Sequence, residues 1–197
     1  MNALVTLPPQ RQLTAPPTRF DAISRAFHWT SVALIVVLFA SAWSLSLARD
    51  GDQAARLLTL HRSLGVTLWI VAVARLGWRL RFAVRPPLPR SLPAAQRLAA
   101  GVTEGALYVL MLVQPLTGLI QSLARGKPFQ LFIFEAPKVM ARDKPLVGLF
   151  HEIHELTAWL MLGLIGLHVA AALFHGLVRR DGVLRSMTPW PDRSARP

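Results

Sequence analysis

Four long apolar stretches run through the chain, each separated from the next by polar or proline-rich residues. Each stretch reaches the length of about 20 residues that a helix needs to cross a bilayer. The predicted spans are 24–47, 57–80, 102–123 and 151–178. No internal repeat and no separate soluble domain interrupts them. The pattern therefore predicts an all-α fold, a membrane four-helix bundle.

The connections between these stretches indicate one membrane domain with a tail at each end. The connection at 48–56 is short, so the first two helices should be antiparallel neighbours, whereas the last connection, 124–150, is a longer loop. We predict a membrane domain at 21–188, a mobile Pro-rich N-terminal tail at 1–20 and a C-terminal tail at 189–197. The N-terminal tail has no continuous apolar segment, so we do not expect it to be a cleavable signal peptide.

Composition supports a membrane protein and excludes several kinds of site. Hydrophobic residues make up 53% of the chain and its mean hydropathy is +0.40, which is ordinary for a membrane protein. The net charge of +12 comes from basic residues between the apolar stretches, unlike the continuous basic face of a nucleic-acid-binding protein. The absence of cysteine excludes disulfides, iron–sulfur ligation and covalent c-type haem, but not non-covalent haem.

The distribution of Lys and Arg predicts the orientation of the helices. Fourteen of these residues lie on the side of the two termini and eight on the opposite side. Because basic residues concentrate on the cytoplasmic side of a membrane, both termini should be cytoplasmic. The bias is moderate, since the loop between the third and fourth helices is itself basic.

Four histidines fall at two depths of the predicted bundle. His154 and His168 lie fourteen residues apart on the fourth helix, so both project from one face about 21 Å apart. His61 opens the second helix near the outer surface, and His28 lies one turn into the first helix near the inner surface. These depths pair His61 with His154 and His28 with His168. The sequence therefore predicts two bis-histidine sites, the arrangement that holds two stacked b-type haems across a membrane.

Other interpretations of the histidines remain open at this point. His175 shares a helix face with His168, so geometry alone leaves it as an alternative partner of His28, although it should lie at the water boundary. His151 lies in the outer loop region. A single histidine in a membrane helix is often a hydrogen-bonded packing residue. Histidines within the membrane can also relay protons, so a small transporter is an alternative to a haem protein.

Arg75 and several small residues lie where the predicted haems would need them. Arg75 is fourteen residues after His61, at the inner level, and we predict that it pairs with a propionate of the inner haem. The alternative is an arginine that snorkels to the headgroups. Arg62 is a weaker candidate for the outer haem. Small residues that could give a porphyrin room, or serve ordinary helix packing, are Gly65, Gly163, Gly166, Ala170, Ala171 and Ala172.

Several motifs together resemble the bacterial cytochrome b561 family and, more distantly, the cytochrome b subunits of hydrogenases and formate dehydrogenases. The resemblance covers approximately residues 20–188, and its fourth-helix motif is the specific one. The matching segments are Arg25-Ala26-Phe27-His28-Trp29, His61-Arg62-Ser63-Leu64-Gly65, Arg75-Leu76-Gly77-Trp78-Arg79-Leu80, Arg125-Gly126-Lys127-Pro128-Phe129, His154-Glu155 and Gly166-Leu167-His168-Val169-Ala170-Ala171-Ala172-Leu173-Phe174-His175, with Tyr108, Pro115 and Gly118 matching on the third helix.

The resemblance implies a protein of the bacterial inner membrane that transfers electrons through two haem b groups and exchanges them with ubiquinone. It implies that His28, His61, His154 and His168 are the axial ligands. One type of member is similar to a superoxide oxidase, which passes electrons from periplasmic superoxide to quinone. The alternative is a membrane anchor and electron conduit for a periplasmic dehydrogenase or a cytochrome c.

The basic outer loop bears on the superoxide interpretation. Positive charge could steer this anion toward the outer haem, or the loop could simply be solvated. Its basic residues are Arg125, Lys127, Lys138, Arg142 and Lys144.

Overall fold

The computed structural model describes residues 18–89 and 92–189. The predicted tails at 1–20 and 189–197 lie outside these ranges, except for residues 18–20 and 189. Four helices in the described chain are long and apolar enough to cross a membrane. The four long helices are α1 (Ala22–Ser46), α2 (Gly51–Arg81), α3 (Ala94–Ala124) and α4 (Lys144–Leu173). They confirm the predicted all-α four-helix membrane fold.

Shorter elements complete the described fold. A two-stranded antiparallel hairpin, β1 (Phe129–Leu131) and β2 (Phe134–Ala136), lies between α3 and α4. After α4 the chain continues as a π-helix (Phe174–Arg179) and a short helix, α5 (Val183–Met187). The segment 124–150, predicted as a longer loop, contains this hairpin and the first two turns of α4.

Three helices begin six to eight residues earlier than the apolar pattern predicts. Helices α2 and α4 begin directly after Asp50 and Asp143, whose carboxylates accept hydrogen bonds from the N–H groups of Gln53 (2.7 Å) and Leu146 (3.0 Å). These N-caps stabilise polar helical turns that extend beyond the apolar stretch. The connection between α1 and α2 consequently shortens to the four residues 47–50.

Consecutive helices pack against one another, α1 on α2, α2 on α3 and α3 on α4. The buried centre is small and is formed by Ala72, Tyr108, Met111 and Met161. Large apolar side chains elsewhere on the helices are exposed, as expected of surfaces that face lipid. We call the end where α1 and α3 begin and α2 and α4 finish the termini end, and the opposite end, with β1 and β2, the hairpin end.

Contacts between distant segments close the termini end. Asp21, the N-cap of α1, accepts hydrogen bonds from Trp78 Nε1 and from the Val84 N–H, each at 3.1 Å. Helix α5 lies back on the start of α1, where Trp29 Nε1 donates to the carbonyl of Met187 (2.9 Å). The beginning of α1, the end of α2 and the C-terminal segment are therefore held together.

Candidate haem sites

The histidine pair at the hairpin end consists of His61 on α2 and His154 on α4. Their ring centroids lie 6.2 Å apart, with the ring planes at 77° to each other. Both residues lie within apolar helices at the same level of the bundle. The structure therefore brings together the two histidines that the sequence places near the outer surface.

Hydroxyl groups fix the proton positions of both rings in this pair. Ser41 Oγ donates to the Leu38 carbonyl (2.8 Å) and lies 2.9 Å from His61 Nδ1. Thr117 Oγ1 likewise donates to the Gln114 carbonyl (2.7 Å) and lies 2.8 Å from His154 Nδ1. When each hydroxyl gives its one hydrogen to its carbonyl, its oxygen accepts from the ring N–H, and the Gln114 carbonyl, 3.2 Å from His154 Nδ1, can only accept. Both rings are thus protonated at Nδ1 and carry a lone pair on Nε2.

The surroundings of His154 hold its ring and its backbone in place. Gln114 Nε2 donates to the His154 carbonyl (2.9 Å), and the Gln114 side-chain oxygen accepts from the Thr157 hydroxyl. Gly118 lies directly against the ring, since an added Cβ atom would be 3.1 Å from His154 Cε1. The interface between α3 and α4 therefore determines the direction in which His154 points.

The pair at the termini end consists of His28 on α1 and His168 on α4. Their ring centroids lie 6.3 Å apart with an interplanar angle of 59°. Helix α4 is continuous between His154 and His168, which places the two pairs about 21 Å apart along its axis. The structure thus contains both of the pairings that the sequence predicts, one above the other.

Arg75 lies beside the termini-end pair. One guanidinium nitrogen, Nη2, is 3.3 Å from His28 Nδ1, and the guanidinium carbon lies 5.1 Å from the centre of the Tyr108 ring. Arginine is only a donor, so in this arrangement His28 Nδ1 accepts. The proton of neutral His28 then lies on Nε2, the opposite of the arrangement at His61 and His154.

A second arginine continues this polar cluster toward the end of α2. The guanidinium carbon of Arg79 also lies over the Tyr108 ring, 5.3 Å from its centre. Both guanidinium Nη atoms of Arg79 contact the Glu104 carboxylate in a bidentate ion pair. Together with Arg75 and Trp78, these residues line a narrow cleft at the termini end. In the sequence Arg79 stands out only as part of the motif that begins at Arg75, and its pairing with Glu104 across α2 and α3 has no local signal.

The remaining histidines are engaged elsewhere. His175 belongs to the π-helix, and its Nδ1 lies 2.6 Å from Oδ2 of Asp181 in the turn that follows. His151 is exposed and lies 4.0 Å from the carboxylate of Glu155. The alternative pairing of His28 with His175, left open by the sequence, is not present in the structure.

Arg62 and the predicted small residues also occupy defined places. Arg62 Nε donates to Ser122 Oγ (3.0 Å), and its guanidinium lies 5.0 Å from the centre of the Phe129 ring. At Gly65, Gly163 and Gly166 an added Cβ atom would meet nothing within 4 Å. These three glycines therefore leave open space beside their helices. Gly118, in contrast, lies against the His154 ring, where a larger residue would crowd the imidazole.

The fold and the paired imidazoles define a class: a multi-pass helical membrane protein with two histidine pairs stacked along its bundle. The sequence profile described as prokaryotic cytochrome b561 matches residues 19–190, and the chain belongs to this family. The chain is accordingly a haem b protein of membrane electron transport. Membership of a cytochrome family decides against the transporter considered above.

Curated relatives agree over almost the whole length of the chain. Cytochrome b561 homolog 2 of Escherichia coli (strain K12) is 32% identical over 176 residues, covering 88% of this chain and 93% of the relative. Cytochrome b561 homolog 1 of the same strain is 26% identical, with 87% and 97% covered. A protein of Yersinia pestis named probable superoxide oxidase CybB is 25% identical, with 87% and 96% covered.

Proposed function

We propose that the protein carries electrons across the bacterial inner membrane through two haem b groups, held by His61 with His154 and by His28 with His168. The observation that carries this proposal is the spacing of the rings, 6.2 Å in one pair and 6.3 Å in the other. Two metal–nitrogen bonds of about 2 Å, plus about 1 Å from each coordinating nitrogen to its ring centre, add up to about 6 Å. Each pair therefore has the separation needed for one iron between two imidazoles.

The hydrogen bonds at the hairpin end fit this role closely. A ligating histidine usually donates its other ring N–H to a nearby oxygen, which fixes the ring and its tautomer. His61 and His154 already donate from Nδ1 to Ser41 and Thr117, and their Nε2 lone pairs are available. Held by His61 and His154, the haem would supply a one-electron redox centre, and with both imidazoles engaged it would be suited to electron transfer and not to binding of oxygen.

The termini end fits the same group with one adjustment. Coordination through His28 Nε2 requires the proton on Nδ1, so Arg75 can no longer donate to this ring. Its guanidinium remains beside the pair and becomes available to an anion. A haem propionate is such an anion, and we therefore retain the proposal that Arg75 binds a propionate of the haem at this end.

We further propose that the electrons pass from periplasmic superoxide to ubiquinone. The support is the similarity to the relative named probable superoxide oxidase CybB, and the basic loop at the hairpin end that would attract this anion. Two superoxide ions each lose one electron and leave as oxygen. Ubiquinone takes up the two electrons and two protons and leaves as ubiquinol. In this proposal the hairpin end faces the periplasm, and both termini are cytoplasmic.

The proposal is tested first by the cofactor. A pyridine haemochrome assay on the purified protein should give two haem b per chain. His61→Ala or His154→Ala should remove one, and His28→Ala or His168→Ala the other. Spectra should be low-spin with no binding of carbon monoxide. One haem per chain, or a carbon monoxide complex in the native protein, would contradict the two bis-histidine sites.

The electron donor needs a separate experiment. The purified oxidised protein is mixed with superoxide in the presence of a short-chain ubiquinone, and haem reduction and ubiquinol formation are followed by absorbance. We expect rapid reduction of the haems without any partner protein. If the haems stay oxidised until a periplasmic dehydrogenase or cytochrome c is added, the superoxide proposal is wrong and the anchor function is correct.

A further inference from the structure

The hairpin formed by β1 and β2 presents an unusual tip. Three consecutive apolar side chains, Phe132, Ile133 and Phe134, are 54%, 88% and 70% exposed. Strand pairing joins Leu131 to Phe134, so Phe132 and Ile133 form the turn. Such a cluster in water would be a costly exposed patch, because each of these side chains loses the stabilisation that burial provides.

The backbone conformation of the tip makes its sequence more informative. Phe132 has a φ of 52°, in the left-handed region that Gly, Asn and Asp normally occupy in two-residue turns. A bulky aromatic residue is disfavoured there. The conformation of the turn therefore does not explain why position 132 carries a phenylalanine. The explanation must lie in the medium that surrounds its exposed side chain.

The attachment of the tip to α2 gives its depth. The Phe132 N–H donates to Ser63 Oγ at 2.7 Å, and Ser63 is itself buried. Ser63 lies six residues after Leu57, the first residue of the apolar stretch of α2, which corresponds to about 9 Å along the helix. The tip consequently lies beside the apolar part of α2 and not beyond its end.

The polar groups of the hairpin lie on the base side of the tip, where Gln130 Nε2 donates to Glu135 Oε2 (3.0 Å) across the strands. In a hydrocarbon environment each backbone N–H needs a protein partner, and Ser63 supplies one to Phe132. Lys127 and Lys138 lie two residues outside the paired ends Phe129 and Ala136, at the base of the hairpin. Apolar residues at one end and lysines at the other are typical of a segment that lies in a membrane interface.

We propose that the tip of this hairpin, residues 132–134, inserts among the lipid acyl chains of the leaflet at the hairpin end. The occupant of this surface is lipid, in continuity with the exposed apolar surface of α2. The hairpin thereby anchors the connection between α3 and α4 in the bilayer, close to Arg62 and His61 on α2. Its base, with the two lysines, stays at the headgroups.

The absence of cysteine from the chain allows a direct test. Ile133→Cys in the full-length, haem-loaded protein is spin-labelled and placed in nanodiscs that hold one copy each. Collisions of the label with oxygen, which concentrates in lipid, and with a water-soluble nickel chelate are measured by electron paramagnetic resonance. Two references lie on α2, the helix that carries Ser63: Asp52→Cys in its polar first turn and Ile70→Cys in its exposed apolar part.

We expect the ratio of oxygen to nickel accessibility at position 133 to be severalfold above that at position 52 and below that at position 70, which lies about 10 Å deeper than Ser63 along α2. A ratio like that of position 52 would show that the tip lies in water, open to a protein partner, and would overturn the proposal. Low accessibility to both reagents would also overturn it, because the tip would then be covered by protein. The haem spectrum should be unchanged in all three labelled variants.

Discussion

Gly118 on α3 and His154 on α4 lie so close together that an added methyl group would make an unusually tight contact with the imidazole ring. A Cβ atom at Gly118 would lie 3.1 Å from Cε1 and 3.3 Å from Nδ1 of the imidazole. The α3–α4 interface is thus built around the ring of a proposed haem ligand.

Gly118→Ala should displace the His154 ring by a few tenths of an ångström and weaken its hydrogen bond to Thr117. Overpacking of this kind costs about 1–3 kcal/mol. We expect faster haem loss from the hairpin-end site and an altered spectrum of one haem only. The matched control is Gly105→Ala on the same helix, where an added Cβ meets nothing within 4 Å. Equal haem loss in both variants would contradict the prediction.

Removing the oxygens that orient the two imidazoles should loosen the same haem. Ser41→Ala leaves the His61 N–H without its hydroxyl acceptor, and Thr117→Val leaves the His154 N–H with only the more distant Gln114 carbonyl, at 3.2 Å. Losses of such supporting hydrogen bonds typically reduce metal affinity about 10–100-fold. We expect accelerated transfer of one haem to apomyoglobin. Ser46→Ala, which removes a similar hydroxyl bonded only to the Trp43 carbonyl, should behave like the native protein.

His168 and His175 should respond differently to substitution. His168→Ala removes the imidazole that faces His28 and should lower the haem content from two to one per chain. His175→Ala removes the partner of Asp181 and should keep both haems. The measurement is the haem-to-protein ratio of each purified variant. Two haems in His168→Ala with one in His175→Ala would show that the pairing at the termini end is wrong.

Loss of the positive charge of Arg75 should lower the midpoint potential of the haem proposed at the termini end. A positive charge near the iron favours the reduced state, and at this distance in a partly buried site its removal should lower the midpoint potential by about several tens of millivolts. Redox titration of Arg75→Gln should show this shift for one haem. Arg81→Gln, a change in the last turn of α2, is the control and should leave both potentials in place. Equal shifts in both variants would remove any special role of Arg75.

Asp181 should stabilise the turn after the π-helix in a pH-dependent way. Burial raises the pKa of Asp181, but hydrogen bonds from His175 and from the Val183 N–H outweigh it and hold the pKa below 3.8. Because the folded pKa is the lower one, this stabilisation is present above about pH 4 and is lost as the pH falls through the folded value. Asp181→Asn should therefore destabilise the protein by about 1–3 kcal/mol at pH 7.

The pH dependence of this variant gives the check. Thermal unfolding of the native and Asp181→Asn proteins is compared at pH 7, pH 5 and pH 3. The difference between them should be present at pH 7 and pH 5 and should decrease as the pH falls below 3.8 toward the folded pKa of Asp181. A difference that already disappears at pH 5 would assign the effect to another group.

The sequence predicts the four helices and the two histidine pairings because both depend on simple periodicity. An apolar stretch of membrane length and a spacing of fourteen residues between His154 and His168 are visible without any tertiary information. The early starts of α2 and α4 could have been found from Asp50 and Asp143, which are ordinary N-cap residues.

Other features have no comparable local signal. The strands of the hairpin have three residues each, too few for an alternating pattern, and their position depends on Ser63 sixty-nine residues away from Phe132. The acceptors of the histidine N–H groups, Ser41 and Thr117, are identified only when helices pack. A polar residue within an apolar stretch is the one signal that points to them.

Helix α4 supplies one imidazole to each pair without a break in its backbone from Lys144 to Leu173. The distance between the two proposed haem centres is thus determined by the rise per residue of a single continuous helix. Loop sequences at either face can diverge to suit different donors and acceptors while the tunnelling distance, on which the transfer rate depends exponentially, stays the same.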